Sequence, residues 1–231
     1  MAKTLFGALI VDMRNKLGGH VLSKNRGGSF IRRKVSPAQP RTSYQRVVRA
    51  LVTQFSRAWS GVLGDAERSA WTAFAAGHPT TDQFGQTVQL TGEQMYVRLN
   101  TVIVFHGGTA IDDPPPDLSV AAITDFTPSA TETGPTFLLD TVLPATILAD
   151  ERYVVWATAG MSVGRNSLDS FYRYVGTFAT LTTGDLDIET AYLAKFGSIN
   201  AGTKVGVGIR IVNVATGAAS PLVNKIITVG A

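Results

Sequence analysis

The chain has no cysteine in its 231 residues, which excludes disulfides and thiolate chemistry. Histidine is scarce: His20, His78 and His106 are the only three. None stands at metal-ligand spacing from another histidine or from an acid on a helix face. Charged residues make up only 16% of the chain while hydrophobic ones make up 45%. That balance excludes a disordered polymer and predicts a protein with a real core. No window reaches the roughly 18 apolar residues that a membrane helix needs. The short apolar run in MAKTLFGALIVDM is followed at once by Asp12 and Arg14, and no small-residue cleavage site appears. It does not read as a signal peptide, so a soluble protein made in the cytoplasm is expected.

The most informative absence is local. Between Met13 and Gly64 there is no aspartate or glutamate. The same span holds Arg14, Lys16, Lys24, Arg26, Arg32, Arg33, Lys34, Arg41, Arg46, Arg49 and Arg57. From Asp65 onward the sign inverts, with nine basic and sixteen acidic residues, a net −7. A basic first quarter on an acidic body reads as a chain with a charged contact arm. One copy's arm could also sit on another copy's body.

Turn signals at Gly18-Gly19 and Asn25-Arg26-Gly27-Gly28 predict a β-hairpin from His20–Ser23 and Ser29–Val35. Leu5–Val11 is also β-prone. Alternation within Ser29–Val35 puts Phe30 with Arg32 on one face and Ile31 with Arg33 on the other. Neither face is cleanly apolar, so the ribbon needs a partner surface. Pro37 and Pro40 favour an extended exit.

Three helices are expected next. The first opens at Thr42 with Gln45 at capping-box spacing and carries Val48, Leu51, Phe55, Trp59 and Val62 on one stripe. The second has Asp65 as its cap and Trp71, Phe74 and Ala75 inside. A strand or loop is expected over Gln83–Leu90. The third helix opens at Thr91 with Gln94 and lines up Met95, Leu99, Val102, Ile103 and His106. Asp112-Asp113-Pro114-Pro115-Pro116-Asp117 then marks a semi-rigid, solvated spacer.

Beyond it the pattern changes to short β-rich segments: Ala121–Thr127, Thr136–Leu143, Arg152–Ala159, Tyr172–Leu181, Val205–Asn213 and Asn224–Val229. Their spacing predicts an antiparallel β-sandwich of the fibronectin or immunoglobulin type. Leu186–Gly197 reads as an inserted helix with a glycine cap. The expected class is therefore α+β: a basic β-ribbon arm over 1–41, a three-helix module over 42–110, a linker over 111–117 and a sandwich over 118–231.

Chemical motifs are few. Gly160-Met161-Ser162-Val163-Gly164 matches the G-x-S-x-G of a nucleophile elbow and follows a strand. The elbow requires a helix after the serine and a histidine downstream. Here a loop follows and all three histidines lie upstream. Asp112, Asp113 and Asp117, like Asp185, Asp187 and Glu189, follow no calcium-loop spacing. No phosphate-cradling glycine motif is present. No catalytic, cofactor-binding or metal residue is assigned, and the chain is expected not to be an enzyme. The interaction residues assigned are Lys24, Arg26, Arg32, Arg33, Lys34, Arg41, Arg46 and Arg49. Their first reading is contact with protein neighbours. Their second is neutralisation of nucleic-acid phosphates, which only Phe30 and Tyr44 would supplement by stacking.

Lys16-Leu17-Gly18-Gly19, Ser23 to Arg32, Val35-Ser36-Pro37 and Pro40-Arg41-Thr42 form one motif block. Gln45 to Ala50, Gln54 to Trp59 and Asp65 to Trp71 continue it. This block resembles a family of uncharacterised proteins of bacteriophages and prophage-bearing bacteria, in which a basic glycine-rich arm and a helix precede a β-sandwich. The resemblance covers nearly the whole chain and is most specific over 16–71. It implies a virion structural protein, made in the host bacterium. From the residues themselves no cofactor or membrane is expected, and the expected partners are other virion structural proteins and further copies of the chain, with nucleic acid second. It carries over no catalytic residues. It leaves open head decoration, a head–tail joint or a fibre, and a host-directed surface module stays as an alternative.

Overall fold

The protein is described by a computed structural model over residues 2–3, 13–34, 41–82, 84–132, 136–142, 149–165, 167–179 and 186–231. The β-prone run Leu5–Val11 and the proline exit at Pro37 and Pro40 lie outside these residues. The class is α+β, with four helices and several antiparallel sheets among the described residues.

The N-terminal sheet has the order β1-β4-β3-β2, built from β1 (Ala2–Lys3), β2 (Asn15–Leu17), β3 (His20–Asn25) and β4 (Gly28–Arg33). The β3–β4 hairpin pairs His20 with Arg33 and Asn25 with Gly28. Its tip closes because Asn25 Oδ1 accepts from Gly27 N at 3.0 Å and Gly28 takes φ +107, a region costly for any residue with a Cβ. Among the residues of this sheet with described burial, only Leu22 is buried.

The helical part follows. In α1 (Ser43–Gly61), Thr42 Oγ1 accepts from Gln45 N at 3.3 Å, which caps the first turn. Phe55 is buried and Leu51 and Trp59 pack beside it. Val62 departs from the expected stripe: it is 74% exposed, because the helix stops at Gly61 and the turning chain delivers Leu63 to the core instead. The second helix, α2 (Asp65–Gly77), is capped by Gly64, not by Asp65. Asp65 is already helical, and the Glu67 carboxylate lies over Gly64 where a capping side chain would sit. Short strands β5 (Thr80–Thr81) and β6 (Thr87–Val88) lead to α3 (Gly92–Phe105). Its capping box is complete: Thr91 Oγ1 accepts from Gln94 N, and Gln94 Oε1 accepts from Thr91 N. Trp71, Met95, Tyr96 and Leu99 complete this core.

The proline segment packs against the helices. Trp71 Nε1 donates to Asp112 O at 2.6 Å. Asn100, fully buried, exchanges two bonds with the Ile111 backbone at 2.7 and 3.0 Å. Pro115 is buried too, so this stretch is a packed strap and not the solvated spacer that its composition suggests, although Asp112, Asp113 and Asp117 do face water.

Two further sheets share the second core. One has the order β11-β8-β7, from β7 (Asp125–Thr131), β8 (Thr136–Val142) and β11 (Leu186–Asp187). The other has the order β10-β9-β12-β13, from β9 (Glu151–Ala157), β10 (Arg173–Ala179), β12 (Lys204–Asn213) and β13 (Val223–Thr228). Phe126, Phe137 and Leu139 of one meet Tyr153, Val155, Val207, Ile209 and Ile211 of the other. The first strand starts four residues later than expected, because buried Glu151 accepts from Ala121 N at 2.9 Å and holds that residue out of the ladder. It runs on through Pro128, which an edge strand tolerates. Leu186–Asp187, expected to be helical, is instead a strand beside β8. The inserted helix α4 (Glu189–Phe196) follows, closed by Gly197. Its Tyr192 is buried and donates to Thr158 O at 3.0 Å, and burial pushes its phenol up to about 12.

The helices and the sheets meet directly. The turn after β12 lies on α3: a Cβ on Gly217, whose φ is +75, would stand 2.8 Å from Leu99 O. At the end of α3, His106 Nδ1 bonds Thr177 Oγ1 at 2.6 Å. Tyr44 packs between Phe105 and Tyr174, at 5.2 and 5.5 Å between ring centres.

Candidate interaction surface

All eight basic residues assigned from sequence are exposed: Lys24, Arg26, Arg32, Arg33, Lys34, Arg41, Arg46 and Arg49. None of them makes an ion pair with another described residue; the pairs present are Lys3–Asp82, Arg68–Asp65 and Lys225–Asp125. Eight exposed guanidinium and ammonium groups without an ion pair among the described residues repel one another and attract anions.

The ribbon register distributes them over two faces. Arg32 stands opposite Val21, on the face of Phe30. Arg33 stands opposite His20, and Lys24 opposite Ser29, on the face of Leu22 and Ile31. The sequence alternation had the same consequence: neither face is apolar enough to bury on its own. Arg26 occupies the hairpin tip. It lines a hollow of about 470 Å³ with Trp59, Leu90 and Glu93, so the tip rests against the helical part of its own chain. Arg41 precedes the cap of α1 with φ +49, a left-handed conformation that costs a non-glycine residue on the order of 1 kcal/mol.

Lys3 was missed by the sequence reading, which counted bases only from Met13. Its Nζ reaches Asp82 at 2.6 Å and Gln86 at 2.7 Å, joining β1 to the β5–β6 turn. The lysine holds the Asp82 carboxyl below the usual carboxylate range. A lone lysine beside an apolar run gave no signal of a partner 79 residues away.

A second polar cluster lies at the joint between helices and sheets. The Arg210 guanidinium stacks on Trp156 at 4.8 Å, and its Nε is buried without a hydrogen-bond partner. Burial first, and then Arg210, push His106 down to about 4. Tyr174 Oη and Thr177 Oγ1 are 2.9 Å apart beside it. In β12, Arg210 alternates with the apolar set Val205, Val207, Ile209 and Ile211, a pattern that carries no sign of this neighbourhood.

The G-x-S-x-G stretch is a turn, with Arg165 N donating to Ser162 O at 3.1 Å and Met161 bridging to Lys204. Among the described residues no helix follows Ser162 directly. His78 Nδ1 contacts Phe74 O and His106 Nδ1 contacts Thr177, while His20 is exposed in the ribbon. Among the described residues no three His, Asp or Glu side chains gather as a metal site. None of their helices is long and apolar enough to cross a membrane.

Comparison with protein-family models found no match, and comparison with curated proteins found none either.

Proposed function

We propose that the protein is a non-enzymatic structural component of a bacteriophage virion, docked to neighbouring subunits through its basic N-terminal arm and its helices. The C-terminal sheets then form a β-sandwich of the fibronectin or immunoglobulin type. Their orders support that reading: with β7 to β13 taken as A, B, C, C′, E, F and G, the sheets read A-B-E and C′-C-F-G. Helix α4 is an insertion between E and F.

One observation carries the docking reading. Among its residues with described burial, the N-terminal sheet buries a single one, Leu22, yet presents Lys24, Arg32, Arg33 and Lys34 to solvent with no ion pair to any described residue. A sheet that buries so little gains its stability on a partner surface, and its short outer strands offer edges for strand addition. Copies of the same chain are the first candidates, because the body past Asp65 carries −7. Head-to-tail contacts of that kind give rings where the rotation closes and open filaments where it does not.

The test is the oligomeric state of the purified chain, alone and co-expressed with the products of adjacent genes. A ring, or incorporation into a particle lost on R32E/R33E substitution, is the expected result. A monomer that joins no particle overturns the proposal.

A further inference from the structure

The outward side of α1 is separate from the ribbon, and its Arg46 and Arg49 are among the residues whose second reading is contact with nucleic-acid phosphates. Its inward side is occupied by Leu51, Phe55 and Trp59. At 100° per residue, Arg46, Thr53 and Arg57 fall within about 40° of one another on the opposite side, with Arg49 and Ser60 next to them. All of these residues are exposed. No acidic residue occurs anywhere in α1, even in the first turn, where the helix dipole favours one.

The hydrogen-bonding character of this face is one-sided. Thr53 Oγ1 donates to Arg49 O and Ser60 Oγ to Arg57 O, so both hydroxyl protons are spent within the helix. The free charged donors are the guanidinium groups of Arg46, Arg49 and Arg57, which make no ion pair with any described residue, while the Thr53 and Ser60 oxygens and the exposed Gln54 amide can still accept. Arginine only donates. Between Arg49 and Arg57, Ala50, Ala58 and Gly61 leave an open trough of about 760 Å³ that has no carboxylate in its lining.

We propose that the outward face of α1 binds the phosphodiester backbone of a nucleic acid. A face whose only charged groups are guanidinium cations calls for an anionic, acceptor-rich ligand, and phosphate oxygens are that. The arginines span about 16 Å along the axis at 1.5 Å per residue. A duplex carries one negative charge per roughly 1.7 Å of axis, so cations at any spacing along the helix find a phosphate. An acidic protein surface must match their positions, and it presents donors as well. The small side chains of the trough let the helix approach closely, and a helix about 10–12 Å across fits a major groove about 12 Å wide. Nothing on this face selects a base sequence, so binding is sequence-independent.

The experiment is fluorescence anisotropy of the full chain with a labelled random-sequence duplex, from 50 to 200 mM salt. The R46A/R49A/R57A variant tests the face, since alanine at exposed helix positions keeps or raises helicity. Three phosphate contacts predict a roughly 40-fold loss of wild-type affinity across that salt range, and a log–log slope flatter by about 2.7 in the variant. The R46K/R49K/R57K variant keeps most of the slope, because each position keeps its positive charge. Absence of binding at 50 mM salt overturns the proposal, as does an unchanged slope in the alanine variant. A loss confined to R32A/R33A moves the site to the ribbon and equally overturns it. Poly-glutamate binding as tightly as the duplex overturns it in favour of an acidic protein partner. The docking proposal is read separately, from oligomeric state.

Discussion

Two β-regions of this chain use the same hairpin chemistry and reach opposite ends of the packing scale. In β12, eight of ten residues are buried, between β9 and β13 and between two core layers. In the N-terminal sheet, among residues with described burial, only Leu22 is buried. The difference lies in what alternates along each strand. β12 alternates Val205, Val207, Ile209 and Ile211 with glycines and Arg210, so one face is wholly apolar. β4 alternates Phe30 and Arg32 with Ile31 and Arg33, so each face mixes one apolar side chain with one cation. Backbone pairing alone makes a hairpin marginal; a buried face makes it stable. The ribbon is therefore a surface looking for cover, and the C-terminal sheets cover each other.

The largest effect that sharpens this contrast is in the second core. Phe137 is fully buried against Tyr192, with ring centres 4.9 Å apart. Phe137→Ala should cost about 3–5 kcal/mol in urea unfolding. Leu22→Ala should leave the main transition in place and change only ribbon protection. An equal loss from both substitutions would break the comparison.

The next effect is at the joint between helices and sheets. Gly217→Ala places a Cβ against the Leu99 carbonyl and forces a left-handed alanine. It should lower stability by about 2–4 kcal/mol, measured as a shift in Tm. If the helices and sheets then unfold in two separate steps, the joint is what couples them.

The same joint is sensitive to pH. His106 in the folded protein is held at about 4, below the ordinary histidine value of 6.5, so it favours the neutral ring. Such a group contributes its stability above the unfolded value and loses it as pH falls from about 6.5 toward 4. A His106→Gln variant should show a flatter decline of Tm over that window. A wild-type profile no steeper than the variant's would contradict the burial of His106.

The smallest effects are at the caps. Thr91→Ala removes one half of a complete capping box, and Thr42→Ala a single bond. Both should cost about 1 kcal/mol or less, Thr91 the more, in matched urea titrations.

Local signals in the sequence translated well. Thr42-Gln45 and Thr91-Gln94 start the helices where capping chemistry places them, and the turn at Asn25–Gly28 closes the hairpin. Elements decided by distant partners were less legible. Glu151 delays β7 by holding Ala121, Leu63 replaces Val62 because the chain turns after Gly61, and Asn100 with Trp71 ties down a segment whose prolines suggested a free spacer. Each depends on a side chain 30 or more residues away or on a turn no periodicity reveals, except Asn100, which is 11 away. The basic surface was legible as charge, and the structure adds its two-faced distribution on the ribbon. The acid-free outward side of α1 was visible only in part, since Arg57 was counted but not placed beside Arg46 and Arg49.

The most direct test of the central claim, that the N-terminal sheet needs a partner while the C-terminal sheets do not, is amide hydrogen exchange on the isolated chain. The account predicts that amides of β3 and β4 exchange through local opening, at least about 100-fold faster than those of β9 and β12, which open only on global unfolding. Equal protection in the two sheets of the isolated chain would contradict it.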